Sequence, residues 1–165
     1  MTLIVTDGRT IAADTRKTTS DGTIGAGAFQ KIQERDGRIF AFGGLCALFE
    51  PGIDWYLAGM DMDATPWKHI ENKDDCFHLW VFEAGKLWQI VHDIPVKEEM
   101  AYPAKLGVMR DYAQGVLDMG GSPETAVRGA MKWHYGVGGA VQVVEIPPHL
   151  QPNMAWKAYP PLSAN

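Results

Sequence analysis

Cys76 and His78 stand two residues apart in an apolar run, and side chains at that spacing on a strand project from the same face. They could therefore share a metal ion, with His69 and His92 as further ligands. The spacing matches no compact zinc motif, and Leu79, Trp80 and Val81 mark the run as a strand to be packed, so the favoured role is structural and no metal is expected. Cys46 likewise has apolar neighbours and no second cysteine nearby, which argues against a disulfide framework and for a reducing compartment. Trp55, Trp67, Trp80, Trp88 and Trp133 could line a ligand surface, but such residues more often fill cores and subunit contacts. Gly136-Val137-Gly138-Gly139 follows a helical segment instead of opening one, so it lacks the context of a phosphate cradle. No cofactor is expected.

The elements that must position any site are read from turns and periodicity. Asp7-Gly8 separates Thr2-Leu3-Ile4-Val5 from Thr10-Ile11-Ala12-Ala13, and Asp-Gly tolerates the positive φ angles of a tight hairpin turn. The same dipeptide at Asp36-Gly37 joins 28–34 to 38–42, and Glu83-Ala84-Gly85 joins 76–82 to 86–92. Between the second and third hairpins, Leu45, Leu48, Phe49, Ile53 and Leu57 have near-helical spacing, although Pro51 and Gly52 fall inside it. Leu106, Met109, Ala113, Val116 and Leu117 form the apolar stripe of a second helix that stops at Gly120-Gly121. Ser122 as N-cap and Pro123 at the first position start a third, with Ala126, Val127, Ala130 and Met131 on its buried face. Residues 140–146 return to a strand, and a proline-rich tail over 147–165 is expected to lie on the surface or on a neighbouring subunit. Helices grouped between runs of antiparallel strands predict an α+β fold in which helices cover stacked sheets.

Length and charge narrow the function classes. A chain of 165 residues with 46% hydrophobic content suffices for one core, so a single domain over 1–146 is expected, followed by the tail. The net charge of −5, with no run of Lys or Arg to follow a phosphate backbone, argues against nucleic acid as a partner. The first residues lack a basic leader with a long apolar core, and no stretch approaches the length of a membrane span, so a cytoplasmic protein without membrane association is expected.

Four short segments taken together carry a resemblance. Thr2-Leu3-Ile4-Val5, Ala12-Ala13-Asp14, Phe29-Gln30-Lys31-Ile32 and Ala41-Phe42-Gly43-Gly44 resemble, in order and spacing, the proteasome β-type and HslV-like family of N-terminal-nucleophile (Ntn) hydrolases. The element order is similar to that family over most of residues 2–146, with the shorter bacterial and phage homologues nearest in character. The resemblance implies a four-layer αββα sandwich and a threonine-type peptidase.

In such enzymes an N-terminal threonine attacks the peptide carbonyl while its own α-amino group takes the proton. That amine has an ordinary pKa of roughly 7.7–8.0, so it is substantially neutral near physiological pH, which a lysine amine is not. The resemblance assigns the nucleophile to Thr2 after removal of Met1, the neighbouring cation to Lys31, and the acid that orients it to Asp14. A backbone N–H within Ala41–Gly44 is the expected oxyanion donor. The family also carries a Ser-Gly turn before the first late helix, where Ala101-Tyr102-Pro103-Ala104-Lys105 is expected in this chain. Implied partners are peptide or unfolded protein substrates, further copies of the chain in a homo-oligomer, and an ATP-dependent unfoldase. The alternative implied by the altered turn is a catalytically inactive structural or assembly protein with the same fold.

Overall fold

The computed structural model describes residues 1–19, 22–71, 77–92 and 96–152. Strands β1 (Leu3–Thr6) and β2 (Thr10–Asp14) form the first hairpin, with Gly8 at φ 88° in its turn. Strands β3 (Ile32–Arg35) and β4 (Arg38–Gly44) form the second, whose Asp36 and Gly37 both take positive φ, the conformation that a two-residue turn between twisted strands requires. Strands β5 (Phe77–Glu83) and β6 (Lys86–Val91) form the third. The chain from Ala28 to Lys31 precedes β3 as irregular backbone, so the second hairpin is shorter than its composition suggests.

A single-turn 3-10 helix, Cys46–Leu48, leads into α1 (Phe49–Leu57). Pro51 is accommodated because it lies in the first turn, where a backbone N–H has no intrahelical partner. Gly52 serves close approach: a Cβ there would lie 2.5 Å from the Phe77 ring, so the helix rests directly on β5.

Two short strands, β7 (Glu98–Glu99) and β8 (Ala104–Gly107), are not visible in the pattern of the sequence. Leu106 belongs to β8, so the second helix, α2, starts later than its apolar stripe suggests and covers Arg110–Asp118. The third, α3 (Pro123–Ala130), begins as expected, with the Ser122 side chain accepting a hydrogen bond from the Thr125 N–H. Strand β9 (Val141–Glu145) ends the regular structure.

The strands form two antiparallel sheets, ordered β8-β1-β2-β9 and β3-β4-β5-β6-β7. Alternation along single strands builds the layers. Ile4, Ile11 and Ala13 face Ile39, Ala41, Trp80 and Phe82 across the space between the sheets. Leu3, Val5 and Ala12 turn the other way, onto Ala113 of α2 and Ala126, Val127 and Ala130 of α3. On the outer side of the second sheet, Phe40, Phe42, Leu79 and Val81 pack against Phe49, Ile53, Trp55 and Tyr56 of α1. The result is a four-layer αββα sandwich. Beyond β9, Leu150 is buried at the edge of the inter-sheet layer, so the start of the proline-rich segment folds back on the core; residues 153–165 lie outside the described residues.

A polar clasp ties α1 to the second sheet. The Glu83 carboxylate accepts from Arg38 Nε at 2.5 Å, Tyr56 Oη at 2.8 Å and Lys97 Nζ at 3.0 Å. Burial pushes this carboxyl up, but the hydrogen bonds from Arg38, Lys97 and Tyr56 prevail and hold it at about 2, against an ordinary 4.5. Its stabilisation is thus present above about pH 4.5 and is lost as the pH falls toward 2. Urea unfolding followed across this range is expected to give a stability gap between wild type and Glu83→Gln that is full at pH 6 and closes in acid.

Candidate active site

The site assembles where β1 begins, below the end of β4. Thr2 is half-buried and lines a pocket with Met1, Arg16, Lys17, Thr18, Phe29, Lys31, Phe42, Gly44 and Cys46. Beneath it, Lys31 and Asp14 form a buried ion pair with Nζ 2.8 Å from Oδ1, their side chains 3% and 0% exposed. Three residues separated in the sequence and carried by two sheets therefore meet at one place.

Asp14 is the hub. Its Oδ1 accepts from the Leu3 N–H at 2.9 Å as well as from Lys31, and its Oδ2 accepts from the N–H groups of Arg16 and Gly138, both at 3.2 Å. A buried charge persists only when partners replace its hydration, and here four donors do so. The contact to Leu3 fixes the residue that follows Thr2, so Asp14 orients the backbone at the head of β1 and the lysine at once.

Lys31 reaches this position from the irregular segment before β3, and that segment is held by a residue with no motif around it. The Gln142 side chain on β9 accepts from the N–H groups of Lys31 and Ile32 at 3.0 and 3.1 Å and donates to the Ile32 carbonyl at 2.6 Å. Burial lowers the Lys31 pKa from its ordinary 10.5, with Asp14 acting in the opposite direction. An ammonium with so little water projects its charge into the pocket with weak screening.

The turn that precedes α2 lies at Gly107-Val108-Met109 and not at 101–105; Ala104 and Lys105 are paired with β1 as part of β8. This turn, whose Gly107 also ends β8, contains no serine. It grips the site through its backbone: the Val108 N–H donates to the Thr2 carbonyl at 2.9 Å, and Gly107 at φ 99° passes so close that a Cβ would lie 1.8 Å from that oxygen. Gly107→Ala is expected to destabilise the protein by roughly 3 kcal/mol, combining a strained φ with displacement of Thr2, as read from urea or thermal unfolding. Gly44, at φ 132°, ends β4 at the pocket edge, within the segment expected to supply an oxyanion donor.

Met1 lies over the site. Its amino group donates to Thr18 Oγ1 at 2.6 Å, and its side chain packs where Gly136 leaves no Cβ. Burial lowers the pKa of this amine below its ordinary 8.0, and the charge of Lys31 lowers it further.

The histidines do not assemble with this site. The rings of His78 and His92 meet edge to face with centroids 6.4 Å apart, and His69 is exposed on the loop after α1. Cys76 lies outside the described residues. Among the described residues no group of three His, Cys, Asp or Glu side chains converges as a metal site would require. Nor is any helix among them long and apolar enough to cross a membrane.

Layer order and strand topology give the αββα fold of proteasome-type Ntn hydrolases. Among solved structures, the chain is similar to Thiobacillus denitrificans BPH, with 20% identity and a TM-score of 0.63 over 90% of this chain and 100% of that one. The same protein in complex with epoxomicin matches with 20% identity and a TM-score of 0.61 over 90% and 100% of the two chains. Eukaryotic HslV from Trypanosoma brucei is similar at 14% identity, with a TM-score of 0.60 over 87% of this chain and 98% of that one. A Gly-1 mutant of Anbu from Hyphomicrobium sp. strain MC1 is similar at 16% identity, with a TM-score of 0.63 over 88% and 81%. No family model and no curated protein sequence matches the chain. The likeness is one of fold.

Proposed function

We propose that the protein is a threonine-type peptidase whose nucleophile is the Thr2 hydroxyl once Met1 has been removed. The observation that carries this reading is the placement of Thr2 at the head of β1, over the buried Lys31–Asp14 pair and in one pocket with Lys31. With Met1 gone, the Thr2 amine becomes the general base: it takes the proton from Oγ1 as the oxygen attacks the carbonyl and returns it to the leaving amine. Lys31 stabilises the alkoxide as it forms and favours the neutral form of the amine beside it. Asp14 is a positioning residue, since it acts through Lys31 and the Leu3 N–H. A backbone N–H near Gly44 is the oxyanion donor in this reading.

The same causes that lower the pKa of the Met1 amine apply to a Thr2 amine that lines the same pocket as Lys31. Because the base must be neutral, activity rises with pH and is lost as the amine protonates. The ascending limb of a kcat/KM profile is expected to reach half its maximum below pH 8.0 and to move toward higher pH in Lys31→Gln.

Substrates on this reading are peptides or unfolded chains, cleaved in the cytoplasm by a homo-oligomer that works with an ATP-dependent unfoldase. Residues 1–146 form its Ntn-hydrolase domain and 147–165 its tail. A second reading, a structural or assembly protein without activity, is favoured by the turn before α2, where Val108 and Met109 offer no hydroxyl. Intact mass of the protein from its native source separates the two, because a chain lacking Met1 fits the enzyme and a chain retaining it fits the structural role.

A further inference from the structure

Within an acidic chain of net charge −5, the pocket beside Thr2 is cationic. Arg16, Lys17 and Lys31 all line it, and among the described residues no Asp or Glu does. Asp14 compensates Lys31 from below the pocket floor. The other two cations are different. Arg16 lies across Gly138, where a Cβ would collide with the guanidinium, and its Nη1 donates to the Tyr135 carbonyl, a neutral acceptor that leaves the charge in place. Lys17 is half-buried, its backbone carbonyl accepts from the Gly25 N–H at 3.0 Å, and it has no ion pair among the described residues. Natural surfaces intersperse charges of both signs, so a concave site with cations alone attracts an anion.

We infer that this pocket selects substrates in which the residue contributing the scissile carbonyl carries a carboxylate, with Lys17 and Arg16 as the groups that read it. The inference rests on the peptidase reading of Thr2 and names its substrate class: peptides cleaved after glutamate or aspartate. Phe29 and Phe42 line the same pocket and offer apolar contact to a methylene stem. Glutamine matches glutamate in shape and lacks only its charge, so the pair isolates the electrostatic contribution. A partly exposed charge pair of this kind gives roughly tenfold discrimination.

The test uses the full chain produced without Met1 and fluorogenic peptides identical except for Glu, Gln, Leu or Lys before the scissile bond. Glutamate is expected to be cleaved about tenfold faster than glutamine in kcat/KM, with the ratio falling to one or below in Lys17→Glu and shrinking as salt is raised. Hydrolysis that favours Leu, Gln or Lys would overturn the inference and leave the peptidase reading standing. Absence of all hydrolysis would count against the peptidase reading, and the inference is then decided by calorimetric binding of the Glu and Gln peptides to Thr2→Ala. Tighter binding of the Glu peptide that disappears in Lys17→Glu sustains it, and equal or undetectable binding of the two overturns it.

Discussion

Thr2→Ala, in a chain produced without Met1, is expected to lose peptide hydrolysis by roughly 10⁴-fold or more while its thermal unfolding stays within about 1 kcal/mol of the parent. The chemical side of this expectation follows from the division of labour in the pocket. On the peptidase reading, no acyl-enzyme forms without Oγ1, and only substrate binding and the proposed oxyanion donor remain to assist attack by water. The structural side follows from what Thr2 does for the fold. Its carbonyl is held by the Val108 N–H, a bond that any residue at position 2 can make. Its side chain contributes little more than a methyl near Gly43, where Thr2 Cγ2 lies 3.7 Å from the position of a Cβ. Thr2→Ser retains the hydroxyl and loses that methyl, so it is expected to keep part of the activity. An alanine variant with full turnover would remove Thr2 from the mechanism.

Asp14→Ala is expected to be the most damaging single change to stability, at roughly 3–5 kcal/mol. The substitution leaves the Lys31 ammonium buried without its counter-charge and orphans the N–H groups of Leu3, Arg16 and Gly138 together. Against a total of roughly 5–15 kcal/mol for a domain, such a loss unfolds a large fraction of the protein in mild denaturant. Lys31→Met is expected to cost less, because the Asp14 carboxylate keeps three backbone donors and a carboxylate with two or three such bonds stays ionised. Urea unfolding of both variants measures the order. A Lys31→Met protein less stable than Asp14→Ala would mean that the lysine, and not the carboxylate, organises the site.

A third variant separates chemistry from architecture. Asp14→Asn keeps the shape of the side chain and one acceptor oxygen for the Leu3 N–H, so the fold should survive with a smaller loss. Its neutral amide no longer fixes the Lys31 charge, so activity should fall further than stability does.

Much of this arrangement is legible in the sequence because it is encoded locally. Asp7-Gly8 and Asp36-Gly37 specify their hairpins through φ angles that few other residue pairs accept. Alternation of Leu3 and Val5 with Ile4 anticipates a strand covered on both faces. Helix α1 was readable despite Pro51 because the apolar spacing outlasts the first turn, where proline is harmless.

Strand β8 was not readable. Ala104 and Leu106 give only two buried positions, and Leu106 is spaced from Met109 as in a helix; its strand conformation comes from pairing with β1. The position of the turn before α2 is hidden for the same reason. For the candidate site, the resemblance points to Thr2, Asp14 and Lys31, but nothing local in the sequence marks the residues that support them. Gln142 and the Gly138 N–H arrive from more than a hundred residues away, and no local pattern marks a glutamine as the clamp on a distant lysine. Nor does the sequence reveal that Arg16 and Lys17 line the pocket together with Thr2.

Covalent labelling tests the central claim most directly. A peptide epoxyketone offers two electrophilic centres, a ketone for a hydroxyl and an epoxide for an amine, so a free N-terminal threonine can engage both. Intact mass and peptide mapping of the Met1-free chain are expected to show one inhibitor per chain, located on Thr2, with no adduct on Thr2→Ala or on a chain that retains Met1. Label on Cys46 with Thr2 unmodified, or no label on the Met1-free chain at all, would contradict the assignment of Thr2 as the nucleophile.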